Sequence, residues 1–190
     1  MKIETILLKI SNYFEDNEIP YAIIGGFSAI VWGRGRSTYD IDIIIDHKKL
    51  KIADFVEFVV EQGMKTSEYE LQEAFKEFSH ATILTMDPPF YRVDLRGIYS
   101  SLDRETIEKA EKVKFKDQNI SFASPETLIA HKLHFGSDRD LEDALVVFIA
   151  QRDEMDLDYL VLLSNKLGVG KKLERLIEIS QEDNELHSKE

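Results

Sequence analysis

The sequence predicts an α+β fold, and two observations support that prediction. In several segments apolar residues recur every three or four positions, which is the spacing of an amphipathic helix. Between these segments lie short runs of β-branched and apolar residues bounded by glycine, proline or asparagine, as is typical of strands. The chain of 190 residues is long enough to bury a substantial hydrophobic core.

The first half of the chain is predicted to mix helices and strands. Helices are predicted over residues 3–16, 27–33, 48–62 and 68–78, and strands over residues 21–24, 38–45, 80–86 and 91–96. Gly63 is expected to end the third helix, because glycine readily adopts the left-handed conformation found there. The apolar residues of the fourth helix that are expected to face the core are Leu71, Ala74, Phe75 and Phe78.

The second half changes character. A helix is predicted over residues 101–113, followed by two short strands around a turn at residues 116–119. Ser124 and Pro125 indicate a helix start, since serine caps the first turn and proline fits its first position. Two further amphipathic helices are predicted within residues 156–179.

These elements predict three regions along the chain. Residues 1–100 would form the core domain, and residues 101–180 a mainly helical region with a short hairpin. Residues 181–190 would form a polar tail, because they carry too few apolar side chains to pack.

Two carboxylates share one face of the second predicted strand. Side chains alternate along a strand, so Asp40 and Asp42 point to the face opposite Ile41. The two Cα atoms of the aspartates are expected roughly 6 to 7 Å apart. Like charges this close repel each other unless a cation joins them, and Mg²⁺ prefers such oxygen ligands. The alternative is that both aspartates lie on the wet face of an edge strand.

Upstream, Gly25 and Gly26 lie where a predicted strand becomes a helix. Without a Cβ on either residue, backbone N–H groups at the helix start can face a phosphate, which the helix dipole also favours. The alternative is a tight turn with no ligand.

A third acidic residue, Asp94, lies on the last strand of the first half. It stands between Val93 and Leu95 and therefore points away from those apolar side chains. The alternative is a surface ion pair with Arg92 or Arg96.

The succession of Gly25-Gly26, a short spacer and Asp-x-Asp on a strand resembles the nucleotidyltransferase superfamily of polymerase-beta-like folds. The run Arg36, Thr38, Asp40, Ile41, Asp42 looks most like the branch of toxin-type and abortive-infection nucleotidyltransferases. The resemblance covers roughly residues 20–145, and its first half is the specific part.

The resemblance implies a mixed sheet flanked by helices, followed by a small helical region. It also implies Mg²⁺-dependent transfer of a nucleoside monophosphate from an NTP to a hydroxyl, with release of pyrophosphate. Two Mg²⁺ ions would be held by three catalytic carboxylates, of which Asp94 would accept the hydroxyl proton. The implied catalytic and metal-binding residues are Asp40, Asp42 and Asp94, and the implied nucleotide-binding residues are Gly25, Gly26, Arg36, Thr38 and Lys132.

The nucleotide-binding role of Lys132 is implied by the second half of the resemblance, which is less specific than the first. In the related toxin-type enzymes, a lysine on the helix after a Ser-Pro-Glu start often reaches the nucleotide phosphates, and an acidic run follows it. Here Lys132 is followed by Arg139, Asp140 and Asp143. Arg139 and Asp140 could instead form an ordinary solvated pair.

Composition limits the remaining possibilities. A net charge of -12 disfavours broad, sequence-independent nucleic-acid binding, and the absence of cysteine excludes disulfides, thiolate catalysis and cysteine-based zinc sites. No apolar run is long enough to cross a membrane, and the acidic amphipathic start is unlike a signal peptide. A cytoplasmic protein without a membrane partner is expected.

The acceptor stays open at this point. Similarity to toxin-type enzymes implies an RNA 3′ end or a protein hydroxyl, together with an antitoxin-like partner. Similarity to antibiotic-modifying relatives implies a small, aminoglycoside-like alcohol. The alternative of another class is a regulatory or partner-binding module that binds NTP without turning it over.

Overall fold

The structure is a computed structural model that describes the backbone of residues 1–187 and the side chains of residues 1–181. Its helices are α1 (Ile3–Asp16), α2 (Gly25–Val31), α3 (Ile52–Glu61), α4 (Glu68–Lys76), α5 (Ser101–Glu108), α6 (Pro125–Phe135), α7 (Asp138–Gln151), α8 (Leu157–Lys166) and α9 (Gly170–His187). Its strands are β1 (Tyr21–Ile24), β2 (Asp40–Ile45), β3 (Met64–Lys65), β4 (His80–Thr85), β5 (Arg92–Gly97), β6 (Glu111–Phe115) and β7 (Gln118–Phe122). A 3-10 turn spans His47–Lys49.

Within the described residues, the strands form one mixed sheet in the order β3-β4-β5-β2-β1-β7-β6. The central strand β2 runs antiparallel to β1 and parallel to β5. At the sides, β5 pairs antiparallel with β4, and β7 pairs parallel with β1. This mixed sheet with its helices confirms the predicted α+β fold. None of the helices within residues 1–187 is long and apolar enough to cross a membrane.

The chain forms two compact units. One comprises residues 1–27 and 37–123, and the other comprises residues 28–36 and, within the described part of the chain, residues 124–187. This division differs from the predicted boundary at residue 100, because the hairpin of β6 and β7 extends the sheet. The backbone N–H of Ala123 donates to the carbonyl of Ile23 at 2.8 Å, which fixes β7 beside β1.

In the sheet-bearing unit, β2 is buried more deeply at its end than at its start. Ile43, Ile44 and Ile45 are fully buried, so both faces of this end are covered. Each isoleucine buried in this way contributes roughly 1.5 to 3 kcal/mol to the free energy of unfolding. At the start of the strand, the half-buried Asp40 and Asp42 alternate with buried isoleucines, as predicted. The apolar end therefore anchors the strand, and the acidic start stays accessible.

In the helical unit, α6 packs against α7, α8 and α9. The helix begins as predicted, because the Ser124 hydroxyl accepts a hydrogen bond from the Thr127 backbone N–H and Pro125 occupies the first turn. Gly136 ends it with a positive φ of 69°. The Lys172 ammonium donates to the Leu133 carbonyl at 2.8 Å and so satisfies a free carbonyl of the last turn.

Several local predictions need correction. The helix predicted over residues 101–113 ends at Glu108, since the following residues pair with β7 as β6. Phe78, expected in the core, is 72% exposed because the chain leaves α4 there with a positive φ of 53°. The predicted helix over residues 48–62 divides into the 3-10 turn and α3, and Gly63 follows α3 with the expected positive φ.

The predicted polar tail, residues 181–190, is partly helical. The backbone of α9 continues through it to His187, and residues 188–190 lie outside the described part of the chain.

Candidate active site

Three carboxylates share one face of the sheet. Asp42 on β2 lies directly opposite Asp94 on β5, and Asp40 lies directly opposite Arg92. Residues opposite each other on neighbouring strands point to the same face, as do residues two apart on one strand. Since β2 lies between β1 and β5, it is not an edge strand, so the edge-strand alternative for Asp40 and Asp42 is wrong.

Gly25 lies directly against Asp42. Ile24 is opposite Asp42 in the antiparallel pair of β1 and β2, so the next residue turns over the carboxylate. A Cβ on Gly25 would lie 2.1 Å from the Asp42 Oδ2 atom, and the φ of Gly25 is +66°. Both the close approach and the backbone conformation therefore require glycine here. Gly26 follows in the first turn of α2, and the phosphate-binding role of the pair stays a prediction.

Two threonine hydroxyls orient the carboxylates. Thr38 donates to a carboxylate oxygen of Asp40. Thr82, which lies opposite Asp94 on β4, donates to Asp94 Oδ1 at 2.8 Å. Hydrogen bonds to carboxylates are stronger than those between neutral groups, so both bonds restrict the rotamers of the acids. Thr38 was predicted to bind nucleotide; the structure places it on Asp40. Thr82 was not predicted, because nothing local in the sequence reveals its register with Asp94.

Arg92 joins two of the three acids. Its Nε atom lies 2.8 Å from Asp94 Oδ2, and its Nη2 atom lies 3.5 Å from Asp40 Oδ2. The sequence left open an ion pair of Asp94 with Arg92 or Arg96, and the structure contains the pair with Arg92. Asp94 is nearly buried, whereas half of the Arg92 side chain is exposed.

A second ionic cluster lies in the helical unit. The fully buried carboxylate of Asp143 accepts hydrogen bonds from Arg36 at 3.0 and 3.1 Å and from Arg34 at 3.3 Å, and Lys132 lies 3.0 Å from it. Lys132 also donates to Asp140 at 2.7 Å. Arg36 and Lys132, predicted to bind nucleotide phosphates, are thus ion-paired within this unit. Asp140 forms its ion pair with Lys132.

The cations in this cluster decide the protonation of its acids. Burial alone would raise the pKa of Asp143, but hydrogen bonds and charge from Lys132 and Arg36 outweigh it, so the pKa lies below its ordinary value. Burial likewise opposes ionisation of Asp140, and hydrogen bonds from Lys132 and Ser137 lower its pKa in the same way. Both aspartates are therefore ionised at neutral pH.

Neither the comparison with protein-family models nor that with curated proteins gives a match. Solved structures do match over most of the chain. An antigenic nucleotidyltransferase-like protein from Paracoccidioides brasiliensis has a TM-score of 0.58 at 16% identity, and the match covers 92% of this chain and 91% of that one. ANT(2'')-Ia in complex with adenylyl-2''-tobramycin has a TM-score of 0.59 at 13% identity, covering 86% of this chain and 95% of that one.

A third match is the lincosamide antibiotic adenylyltransferase LnuA bound to lincomycin. Its TM-score is 0.55 at 17% identity, and the match covers 76% of this chain and 95% of that one. The chain has the nucleotidyltransferase fold. This fold is the one that Gly25-Gly26 and the Asp-x-Asp strand led us to expect from the sequence.

Within the nucleotidyltransferase fold, the carboxylates offer the oxygen ligands that Mg²⁺ prefers. In the described part of the chain, no three acidic or histidine side chains converge closely enough to form a metal-binding cluster. Instead the Arg92 guanidinium bridges Asp40 and Asp94, and so acts as a stand-in cation between them. The donor set fits a divalent cation in charge and chemistry, provided that Arg92 moves aside.

Proposed function

We propose that this protein is a magnesium-dependent nucleotidyltransferase, which moves a nucleoside monophosphate from an NTP to a hydroxyl acceptor and releases pyrophosphate. The observation that carries the proposal is the register of β2 and β5, which sets Asp42 opposite Asp94 with Asp40 on the same face. Three carboxylates therefore lie close together on one face of the sheet. Such a face suits a divalent cation and its triphosphate.

In this mechanism Asp40, Asp42 and Asp94 would hold Mg²⁺, which when bound stabilises negative charge on the phosphate oxygens. Asp94 has the further role of general base. It would take the proton of the acceptor hydroxyl as that oxygen bonds to the α-phosphorus and the bond to the pyrophosphate oxygen breaks. Thr82 supports this role, because its hydrogen bond to Oδ1 fixes the orientation of the Asp94 carboxylate.

The turn at Gly25 and Gly26 is the proposed binding site for the phosphates of the NTP. Both residues lack a side chain, which would let a phosphate approach the backbone N–H groups at the start of α2. The space beside Gly25 that a Cβ would fill is taken by the Asp42 carboxylate, so the phosphate would have to approach from another side. Roles of Arg36 and Lys132 toward the nucleotide remain predictions from the resemblance. Their ion pairs with Asp143 hold both side chains in fixed positions, which such a role would need.

For the acceptor, we propose a small hydroxyl-bearing molecule with positive charge. A net charge of -12 repels RNA and attracts cations. Two proteins of the same fold were solved with adenylyl-2''-tobramycin and with lincomycin, respectively. The toxin-type resemblance instead favours an RNA 3′ end or a protein hydroxyl with an antitoxin-like partner, and both belong in the test.

The test is a transfer assay with each NTP labelled at the α-phosphate, in the presence of Mg²⁺. Three acceptor pools are compared: aminoglycosides and lincosamides, total RNA, and soluble protein. Label is expected in the small-molecule pool with an equal amount of pyrophosphate. Label in RNA or protein would support the toxin-like alternative.

The Asp42→Asn variant separates an enzyme from a binding module. It should lose transfer by at least about 100-fold, because Asp42 would hold the metal that stabilises charge on the reacting phosphate, and losing one such electrostatic contribution costs that order. Asp46→Asn is the matched control, since Asp46 lies about 13 Å farther along the chain. If Asp42→Asn keeps full activity, the proposed site is wrong. If the wild type binds NTP but never releases pyrophosphate, the binding-module alternative holds.

A further inference from the structure

Arg92 occupies a particular place among the three acids. It lies opposite Asp40 across the strand pair and two residues before Asp94 on the same strand. Its guanidinium therefore points into the space between their carboxylates, where it contacts Asp94 at 2.8 Å and Asp40 at 3.5 Å. A guanidinium is planar and holds several donors in a rigid fork, so it can contact two carboxylates at once in a fixed geometry.

The same space is the one that a divalent cation would need. Three carboxylates on one face repel each other, and the structure relieves part of that repulsion with Arg92. A guanidinium and a divalent ion on the same carboxylates of Asp40 and Asp94 would repel each other, so the two cations compete for this place.

We propose that Arg92 is a positioning residue that holds Asp40 and Asp94 together until the metal displaces it. This inference rests on the proposed metal-dependent function. It assigns Arg92 a competitive role: the guanidinium keeps the carboxylates ordered and near each other, and the incoming ion must push it into solvent.

The exposure of the three side chains makes such an exchange feasible. The Arg92 side chain is 51% exposed and that of Asp40 is 40% exposed, so the guanidinium can leave without opening the core. An exposed ion pair of this kind contributes little to folding. Asp94, at 11%, is held in place by Thr82 and stays behind when Arg92 leaves.

A purely structural ion pair would behave differently on mutation. If Arg92 only stabilised the strand pair, its loss would lower the melting temperature and leave metal affinity unchanged or weaker. If Arg92 competes with the metal, its loss strengthens metal binding, because no positive charge then has to be moved. The two cases differ in the sign of the effect on affinity.

The experiment measures Mn²⁺ binding to the full chain without nucleotide, by electron paramagnetic resonance of the free ion. Arg92→Gln should lower the Kd about five-fold, within the range that two exposed ion pairs supply. Arg92→Lys keeps the positive charge but lacks the planar guanidinium, so its Kd for Mn²⁺ should lie between those of wild type and Arg92→Gln. If Arg92→Gln is poorly folded, a lower Kd for Mn²⁺ in Arg92→Lys than in wild type would still support the competition.

Arg96→Gln is the matched control. Arg96 lies on the same strand about 13 Å away and pairs with Asp103, so its loss removes an equal charge without touching the three acids. Its Mn²⁺ affinity should equal that of the wild type.

The remaining outcomes separate the two claims. If wild type and Arg92→Gln bind Mn²⁺ equally and Asp42→Asn abolishes binding, the metal site stands and the role of Arg92 is overturned. Weaker binding by Arg92→Gln overturns it as well. If none of the proteins binds Mn²⁺, the metal-dependent function itself fails, and the inference fails with it.

Discussion

Asp94 in the sheet-bearing unit and Asp143 in the helical unit are both buried aspartates, but their partners differ. Asp94 has one arginine and one threonine beside it, and it shares its face with two further carboxylates. Asp143 is fully buried and is surrounded by two arginines and a lysine. One acid belongs to a group of three neighbouring carboxylates. The other belongs to a group in which positive charge satisfies it.

This difference separates the proposed metal-binding face from a cluster whose ion pairs stabilise the fold. Three carboxylates are neighbours on the face around Asp94, so added positive charge is expected to lower its free energy. The cluster around Asp143 is already compensated, and removal of its acid would leave cations in partly buried positions without their partner. Replacing an aspartate by asparagine should therefore have different effects on stability in the two clusters, and mutations can measure that difference.

The largest expected effect is on stability at Asp143. Asp143→Asn should lower the free energy of unfolding by about 3 kcal/mol, since it leaves buried charge uncompensated. That corresponds to a fall in melting temperature of about 6 to 12 °C for a chain of this size. Asp94→Asn is the comparison variant and should cost no more than about 1 kcal/mol, because it relieves repulsion among the three acids.

Urea titrations of both variants measure the two free energies. Equal losses at Asp94 and Asp143 would contradict the distinction between the two clusters.

A smaller effect is expected at Gly25. Gly25→Ala should cost about 1 to 2 kcal/mol for the left-handed backbone alone, and more because its Cβ would meet the Asp42 carboxylate. Gly63→Ala is the matched control: Gly63 also has a positive φ, and no atom lies within 4 Å of the added Cβ.

The difference between these glycine variants isolates the contact with Asp42. Melting temperatures should fall farther for Gly25→Ala, and that variant alone should lose metal binding. If both variants show the same melting temperature and the same metal binding, the contact between Gly25 and Asp42 contributes to neither property.

The smallest expected effect is on acid sensitivity. The pKa of Asp143 is lower in the folded protein than in the unfolded chain, so its contribution to stability is present above the unfolded pKa of about 4. That contribution is lost as the pH falls through the folded pKa. Asp143→Asn lacks the titrating group, so its stability deficit relative to wild type should narrow below about pH 4.

Urea unfolding at a series of pH values from neutral to acid checks this trend. A deficit that stays constant over the whole series would show that the charge of Asp143 does not stabilise the fold.

The parts of this comparison that the sequence predicted are local ones. The alternation of Asp40 and Asp42 with isoleucine follows from the strand period, and the start of α6 follows from Ser124 and Pro125. Each depends on residues that are neighbours in the chain.

The remaining features depend on distant pairing. Arg92 contacts Asp40 across 52 positions, and Arg36 contacts Asp143 across 107. Among the described strands, the hairpin of β6 and β7 joins the sheet through β1, and no local pattern encodes that pairing. A sequence pattern fixes which face a side chain occupies, but not which strand or helix lies opposite it.

The face bearing Asp40, Asp42 and Asp94 is proposed to bind a metal-bound NTP. The most direct test is a thermal-shift screen of the four NTPs, with and without Mg²⁺, on wild type, Asp42→Asn and Asp46→Asn. At 100 times its dissociation constant, a ligand adds about 2.7 kcal/mol, which raises the melting temperature by about 5 to 10 °C here. We predict this shift only with Mg²⁺, in wild type and Asp46→Asn but not in Asp42→Asn. An equal shift in Asp42→Asn, or no shift with any NTP, would contradict the account.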